Sequence, residues 1–357
     1  MFNRSRWFRI AIGIILFLVI IFLLDKTSYI LRPLKVLIST LFLPFFIAGI
    51  LFYLFRPIQV FLEKRSVPKK LSILIVFLAI IAVLSVFVGI AGPIIQEQFT
   101  RLINNFPDMV SKIEEGITYW QNNQQEFPTY VNDFIDQTTN QIKSILMNTG
   151  TVMINFFSSL FGLVLVLVIV PFILFYMLND KDHFLPSVLK FFPESSRDDV
   201  ASILKDMDST LAKYIQGQLI VSTCVGVLLL IGYSILGLHY SLVLSLFGMM
   251  TNVIPFIGPY IAVVPAIIVA LFQDPFMVIY VVIIMLVAQQ IESNFISPNV
   301  VGKALDIHPL TIICLVLAAG NFAGIMAVVL AIPTYAVTKV FVIHIYKLWK
   351  TQSKKQT

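Results

Sequence analysis

The chain has 357 residues, 58% of them hydrophobic and 12% charged, with a formal net charge of +6 at pH 7. Soluble domains carry about 25% charged and about 45–50% apolar residues, so too little polar surface is present to face water, and the chain is an integral membrane protein. Its apolar runs exceed the roughly 18 residues of a spanning helix, which excludes an outer-membrane barrel built from short alternating strands and sets the fold class as all-α.

In chain order, spans are expected at 8–24, 34–55, 71–93, 152–178, 218–237 and 276–296. Arg4, Arg6 and Arg9 ahead of Ile10 to Leu24 resemble a secretory signal. The run ends in Asp25, Lys26 and Thr27 rather than a small-x-small site, so an uncleaved first helix is predicted. Between the third and fourth spans, Ile95, Phe99, Leu102, Ile103 and Phe106 recur at helical spacing, as do Val131, Phe134, Ile135, Thr138, Ile142, Ile145 and Leu146. Amphipathic helices are predicted there, with breaks at Pro107 and Pro128. They either lie on the membrane surface and pack on neighbours, or form a gating or oligomer-forming cap. After the fourth span, Ser195 followed by Asp198 resembles a capping box opening an amphipathic helix that leads into the fifth.

Two further apolar regions are interrupted. The region 240–272 is broken by Asn252, Pro255, Gly258 and Pro259, and 309–346 near Gly320-Asn321 and again at Pro333. The total is about eight transmembrane or re-entrant helical elements, with discontinuous helices in the C-terminal half. The expected organisation is an N-terminal three-helix membrane region (1–93), extracytoplasmic amphipathic helices (94–151), a fourth span (152–178) and cytoplasmic amphipathic helices (179–216). A C-terminal transport core (217–346) and a basic tail (347–357) follow.

Charge placement gives the topology. Eighteen of the 25 lysines and arginines fall in the N-terminus, the 56–70 loop, the 179–216 segment and the tail from Lys339, whereas 94–151 has seven acidic residues against three basic. The positive-inside rule then places both termini in the cytoplasm. The basic balance is a topology signal and does not point to nucleic acid. Cys224 and Cys314 lie within apolar segments as small hydrophobes.

Motifs of membrane enzymes and motors are missing. Gly302-Lys303 is followed by Ala304 and lacks the upstream glycine of a phosphate-binding loop; there is no H-E-x-x-H or G-x-S-x-G, and the four histidines are scattered. Neither an enzyme nor a metal site is expected, and no cofactor beyond coupling to H+ or Na+.

Polar groups retained in hydrocarbon are site candidates. The densest run, Gln289-Gln290-Ile291-Glu292-Ser293-Asn294 with Pro298 beyond it, closes an apolar span. Gln289, Glu292 and Ser293 fall at i, i+3 and i+4, on one helical face. Glu292, the sole carboxylate of that span, either carries a proton or sodium ion or sits at a helix end and bonds a neighbouring segment. The run from Asn252 to Tyr260 cannot be continuous helix, because each proline removes a donor and disfavours helix before it. Such irregular backbone at membrane depth marks the binding sites of secondary transporters. Ala262, Ala266 and Ala270 form a small-xxx-small stripe, as do Gly320 and Gly324 with Ala323, Ala327 and Ala331. The region 240–272 is either a re-entrant hairpin or one long kinked span.

Several strings carry a family resemblance. They are Tyr214-Ile215-Gln216-Gly217-Gln218, the Gly237-Leu238 step, the Asn252 to Pro259 loop, and Gln290-Ile291-Glu292-Ser293-Asn294 with Pro298 and Gly302. His308-Pro309, Gly324 with Ala331-Ile332-Pro333, and Pro171 with Tyr176 to Asp180 complete the pattern. Together they resemble the AI-2E family of transporters over nearly the whole chain, with Gln216 standing where the family usually has arginine. The resemblance implies a secondary transporter of the bacterial plasma membrane, exporting a small polar signal such as autoinducer-2 or exchanging sodium or lithium for protons. It also implies a homo-oligomer, a pentamer, with a moving domain that holds the re-entrant elements. The candidate path comprises Asn252, Pro255, Gly258, Pro259, Gln289, Gln290, Glu292, Ser293, Asn294, Pro298, His308 and Asn321. Its partners would be a small-molecule or ion substrate and the lipid bilayer. The reading from another class is a membrane scaffold or sensor whose 94–148 helices bind a partner.

Overall fold

The structure, a computed structural model, describes residues 12–19, 22–23, 27–122, 149, 151–153, 155, 164–255, 257–300 and 307–355. Among these, all regular elements are helical: α1 (Ser28–Lys64), α2 (Lys69–Asn122), α3 (Val164–Leu189), α4 (Arg197–Leu236), α5 (Ser241–Thr251), α6 (Gly258–Gln273), α7 (Met277–Ile291), the short α8 (Ser297–Val300) and α9 (Pro309–Lys355). Five stretches are long and apolar enough to cross a membrane: Val36–Lys64, Lys69–Gly116, Glu194–Leu236, Met277–Val300 and Met326–Lys347. The outward faces of α1 and α2 carry exposed Leu, Ile, Val and Phe. In water such a face would be an aggregation hazard; in a multi-pass membrane protein it is the natural outer surface.

Two cores form. Phe52, Val76, Leu174 and Leu178 join α1, the first part of α2 and α3. Leu229, Phe247, Ala266 and Val281 join α4 to α7, and the far part of α2 adds Leu102 and Met109. In lipid the contact itself must supply the energy, since tails are as apolar as leucine, and small residues allow close approach. Gly226 faces Met249, Gly248 faces Leu229 and Gly232 faces Ile284 so closely that a Cβ would collide at each. The predicted stripe Ala262, Ala266 and Ala270 is buried in the same core.

Several expectations are corrected. α2 runs 54 residues through both Pro93 and Pro107, about 80 Å of helix, so Pro107 does not break it. Each proline removes one backbone bond, and side-chain contacts hold the rest. Leu102 and Met109 are buried, Asn105 Nδ2 donates to the Tyr240 hydroxyl at 2.9 Å, and Gln98 Oε1 accepts from the Val243 N–H at 3.3 Å. The Pro128 break, the 131–146 pattern and the first residues of the fourth span lie outside the described residues. α3 continues past residue 178 to Leu189.

The capping box is also absent. Ser195 falls inside a 3-10 turn, Glu194–Ser196, so α4 opens with Ser196 at its N-cap and no side-chain cap bond. α9 is one hydrogen-bonded helix through Gly320, Asn321 and Pro333, and it runs on into the basic tail as far as Lys355. Its irregular point is Gly324, at φ +70°, a conformation that glycine adopts without steric cost.

Three long-range ion pairs and a histidine–carboxylate contact gather the 56–70, 179–216 and C-terminal segments at one end. Arg56 Nη1 lies 2.7 Å from Asp208, Lys69 Nζ 2.7 Å from Asp182, Lys181 Nζ 2.7 Å from Glu63 and His344 Nε2 3.1 Å from Asp206. The hydrogen bond from Lys69 holds the Asp182 carboxyl below its ordinary value. That pair's small contribution is therefore present above the ordinary carboxylate range and lost as pH falls through the lowered value. The Lys181 pair is different in kind: the lysine side chain is 7% exposed, and Gln59, fully buried, donates through Nε2 to Glu63 at 2.9 Å and to the Leu178 carbonyl at 3.3 Å. Lys181→Met should cost on the order of 2 kcal/mol, because it leaves the partly buried Glu63 carboxylate, 27% exposed, without its counter-charge. Lys69→Met should cost under about 1 kcal/mol. Denaturant unfolding of the purified protein measures both, and equal costs would refute the distinction.

Candidate functional site

α4 ends at Gly237, which at φ +70° closes the helix while the Leu238 N–H bonds back to the Tyr233 carbonyl at 2.9 Å. α5 then runs only 11 residues, about 16 Å, before the chain bends. The Asn252 N–H bonds to the Gly248 carbonyl at 2.9 Å as the last regular helical contact. Beyond it the bend is tied by Ile254 N–H to Thr251 O (2.9 Å), Ile257 N–H to Pro255 O (2.8 Å) and Gly258 N–H to Ile254 O (2.9 Å). Gly258 is required: a Cβ there would collide with the Thr251 carbonyl. Pro259 follows within the first turn of α6, where its missing N–H costs nothing. Phe256 lies outside the described residues.

α6 packs back along α5, and Gln273 at its end closes the unit. The Gln273 side chain accepts from the His239 N–H at 2.9 Å and donates to the Gly237 carbonyl at 2.9 Å. The two helices are therefore a hairpin whose open end faces away from the ion-pair end, with the bend in the interior.

The bend is served by a residue of α4. Gln218, buried, donates from Nε2 to the Asn252 carbonyl at 2.8 Å. Asn252 itself is 1% exposed, and neither Oδ1 nor Nδ2 has a hydrogen-bond partner among the described residues. The contacts Gln218 to Asn252, Gly226 to Met249 and Leu229 to Gly248 set α4 antiparallel to α5. Ser222, one turn past Gln218, falls between them on the same buried face, with its hydroxyl also unpartnered.

The third wall is the end of α7. Gln289 Nε2 donates to Glu292 Oε2 at 3.0 Å, and the Asn252 side chain lies against Glu292 without an amide hydrogen bond of regular geometry. Glu292 opens a π-helical turn, Glu292–Ile296. Such wide turns concentrate at functional sites, and the extra residue per turn changes which side chains share a face. Gln289 and Glu292 stay together as their spacing predicts, but Ser293 turns outward and donates to the Gln290 carbonyl at 3.3 Å.

The sequence-predicted residues thus separate. Asn252, Gln289 and Glu292 converge, while Pro255, Gly258 and Pro259 shape the bend. Gln290 and Asn294 are exposed and bond each other at 2.9 Å; Pro298 is exposed. Exposed His308 accepts the Leu310 N–H at Nδ1 (3.3 Å) at the start of α9, and the Asn321 amide donates to the Leu317 carbonyl of its own helix at 3.1 Å. Sequence reasoning quoted Gln218 without choosing it. Its signal was faint: a glutamine at the border of a span, four residues before a serine and eight before a glycine on one helical face.

It also missed a clamp between α1 and α4. The Tyr53 hydroxyl donates to Asp208 Oδ1 at 3.0 Å, Arg56 pairs with Oδ2, and Gln216 Nε2 donates to the Tyr53 carbonyl at 2.7 Å.

Neutral amides, a hydroxyl and one carboxylate can hold a hydrogen-bonding solute or a cation. Among the described residues no cluster of three or more His, Cys, Asp or Glu is placed to hold a metal ion. Because the Asn252 amide makes no hydrogen bond of regular geometry and only lies against Glu292, Asn252→Leu should leave stability within about 1 kcal/mol of the parent. Gly258→Ala should lower it by about 1–3 kcal/mol through the backbone collision. Thermal unfolding in detergent tests the pair; a large loss in Asn252→Leu would mean that the amide is structural.

A family profile described as "AI-2E family transporter" matches residues 10–347. The chain is 40% identical over 353 residues to a Bacillus subtilis protein named "Putative transport protein YueF", covering 97% of this chain and 95% of that one. It is 31% identical over 342 residues to "Putative transport protein YrrI" of the same organism, covering 96% of each. Over 315 residues it is 28% identical to "Putative permease PerM" of Escherichia coli K12, covering 86% and 87%.

Proposed function

The chain belongs to the AI-2E family of transporters, and from that premise we propose that it is a secondary transporter moving a small polar organic solute across a bacterial plasma membrane, along a path past Gln218, Asn252, Gln289 and Glu292. One observation carries this reading: the Asn252 amide, fully buried at a helix break, leaves its donors and its acceptor unused beside a carboxylate. An unmade buried hydrogen bond costs about 1–3 kcal/mol. A bound solute that offers both a donor and an acceptor removes that cost, whereas a scaffold gains nothing from bearing it.

On this reading α5 and α6 are a re-entrant hairpin, since α5 reaches about halfway through a roughly 30 Å hydrocarbon core. With the ion-pair end in the cytoplasm by the positive-inside rule, the hairpin opens outward. Export of autoinducer-2, which the family resemblance implies, is the first substrate to test.

A second reading is favoured by Glu292 alone. It has a neutral hydrogen-bond partner in Gln289 and no ion-pair partner among the described residues, the state of a carboxylate that exchanges Na+ for H+. Proteoliposomes loaded with autoinducer-2, and others with an imposed sodium gradient and an internal pH dye, separate the two. For solute transport, Asn252→Leu should reduce autoinducer-2 flux about tenfold or more, the equivalent of one lost hydrogen-bond pair. For exchange, Glu292→Gln should abolish pH-coupled sodium flux. Unchanged flux in Asn252→Leu rejects the first role, unchanged flux in Glu292→Gln the second, and no flux of either solute in the parent favours the scaffold.

A further inference from the structure

A cavity of about 180 Å³ lies at the seam between the two cores. Gly49 and Tyr53 of α1, Gln218 of α4, Val253 of the bend, and Leu330 and Pro333 of α9 contribute to its wall. The space far exceeds the roughly 10–15 Å³ that one water requires. Its wall is apolar apart from Tyr53, Tyr214 and Gln218, and of these the Tyr53 hydroxyl is taken by Asp208 and the Gln218 amide nitrogen by the Asn252 carbonyl. Such a space accepts hydrocarbon.

The cavity adjoins the polar site. Gln218 lines it and bonds the Asn252 carbonyl, and Val253 is the next residue along the bend. Neither Asn252 nor Glu292 itself lines the cavity, so a molecule seated there meets the Asn252 amide and Glu292 only past Gln218 and Val253. Building on the transport reading above, we propose that the transported solute is amphiphilic: its polar end engages Asn252 and Glu292, and its apolar body occupies the cavity between α1, α4 and α9. Glu292 accepts hydrogen bonds, so the head is a donor such as an ammonium or a hydroxyl. Gly49 sets how much body fits, because the space beyond its Cα is open and a Cβ there meets nothing within 4 Å.

A phospholipid acyl chain shares the apolar chemistry, and the test separates the two sources. The full-length protein in nanodiscs is photolabelled with hexylamine carrying a diazirine in its chain, or with a phosphatidylcholine carrying one in an acyl chain, and adducts are mapped by peptide mass spectrometry. The hexylamine probe should label the cavity wall at Leu219, Val253 or Leu330. Unlabelled n-alkylamines should compete, each added methylene strengthening competition by up to about fourfold until the space is full.

Gly49→Phe should abolish that chain-length dependence while ethylamine still competes. Gly49→Ala, which adds one carbon to open space and keeps the helix, should shift the preferred amine about one methylene shorter. Cavity labelling by the phospholipid probe and not by the amine overturns the proposal, as does a chain-length dependence that Gly49→Phe and Gly49→Ala leave unchanged. If that happens while Asn252→Leu still removes transport, the cavity role fails and the polar site stands. If Asn252→Leu affects neither flux nor labelling, the transport reading itself fails.

Discussion

A backbone carbonyl left free by a helix break in a membrane has no water to bond, and the interior of this protein is arranged around one such group. The Asn252 carbonyl is satisfied by a single side chain from another helix, Gln218 Nε2 at 2.8 Å. For that bond to form, α4 must lie close to α5 in one register. Gly226 and Gly248 supply the closeness, since a Cβ at either would push Met249 or Leu229 away. Gly237 turns the chain from α4 into the hairpin, and Gln273 ties both hairpin ends together. Irregular backbone at membrane depth survives only where protein covers it, and these contacts are the cover.

The seam between the two cores has a different character. Across it the direct bonds are the Tyr53 and Arg56 contacts with Asp208 and the Gln216 bond to the Tyr53 carbonyl, and beside them is open space rather than interlocked side chains. Dispersion depends on contact, so a gap at a seam is a place where little cohesion holds the halves. The polar clamp and the cavity share Tyr53, and α2, which contributes to both cores, runs past the seam as one helix.

What was legible in the sequence follows from how local each signal is. The long spans and the break after Asn252 depend on composition and on prolines three residues before and one residue after a glycine, so they could be read directly. Pro107 and Pro333 are the same residue type and mislead, because whether a proline ends a helix depends on what holds the far side. Leu102 and Met109 do so for α2, through partners more than 100 residues distant. Ser293 was placed by a period of 3.6 that the π-turn does not obey. Gln218 and the Asp208 clamp were missed because their partners come from other helices, and no spacing along one helix reveals them.

Two carboxylates inside this molecule are handled in opposite ways, and the contrast is informative. Glu63 has a nearly buried lysine at 2.7 Å and a buried glutamine at 2.9 Å, so its charge is compensated, although Gln59 Oε1 is itself without a partner among the described residues. Glu292 has one neutral partner at hydrogen-bond geometry and lies against an amide that makes no regular hydrogen bond. Both carboxylates accept from a glutamine, and what separates them is the lysine: Glu63 has a counter-charge and Glu292 has none among the described residues. A charge-compensated pair fixes the fold at the basic end. An open set at a helix break is stable only in a protein whose remaining contacts hold it in place, and it leaves free bonding capacity for something that arrives and departs.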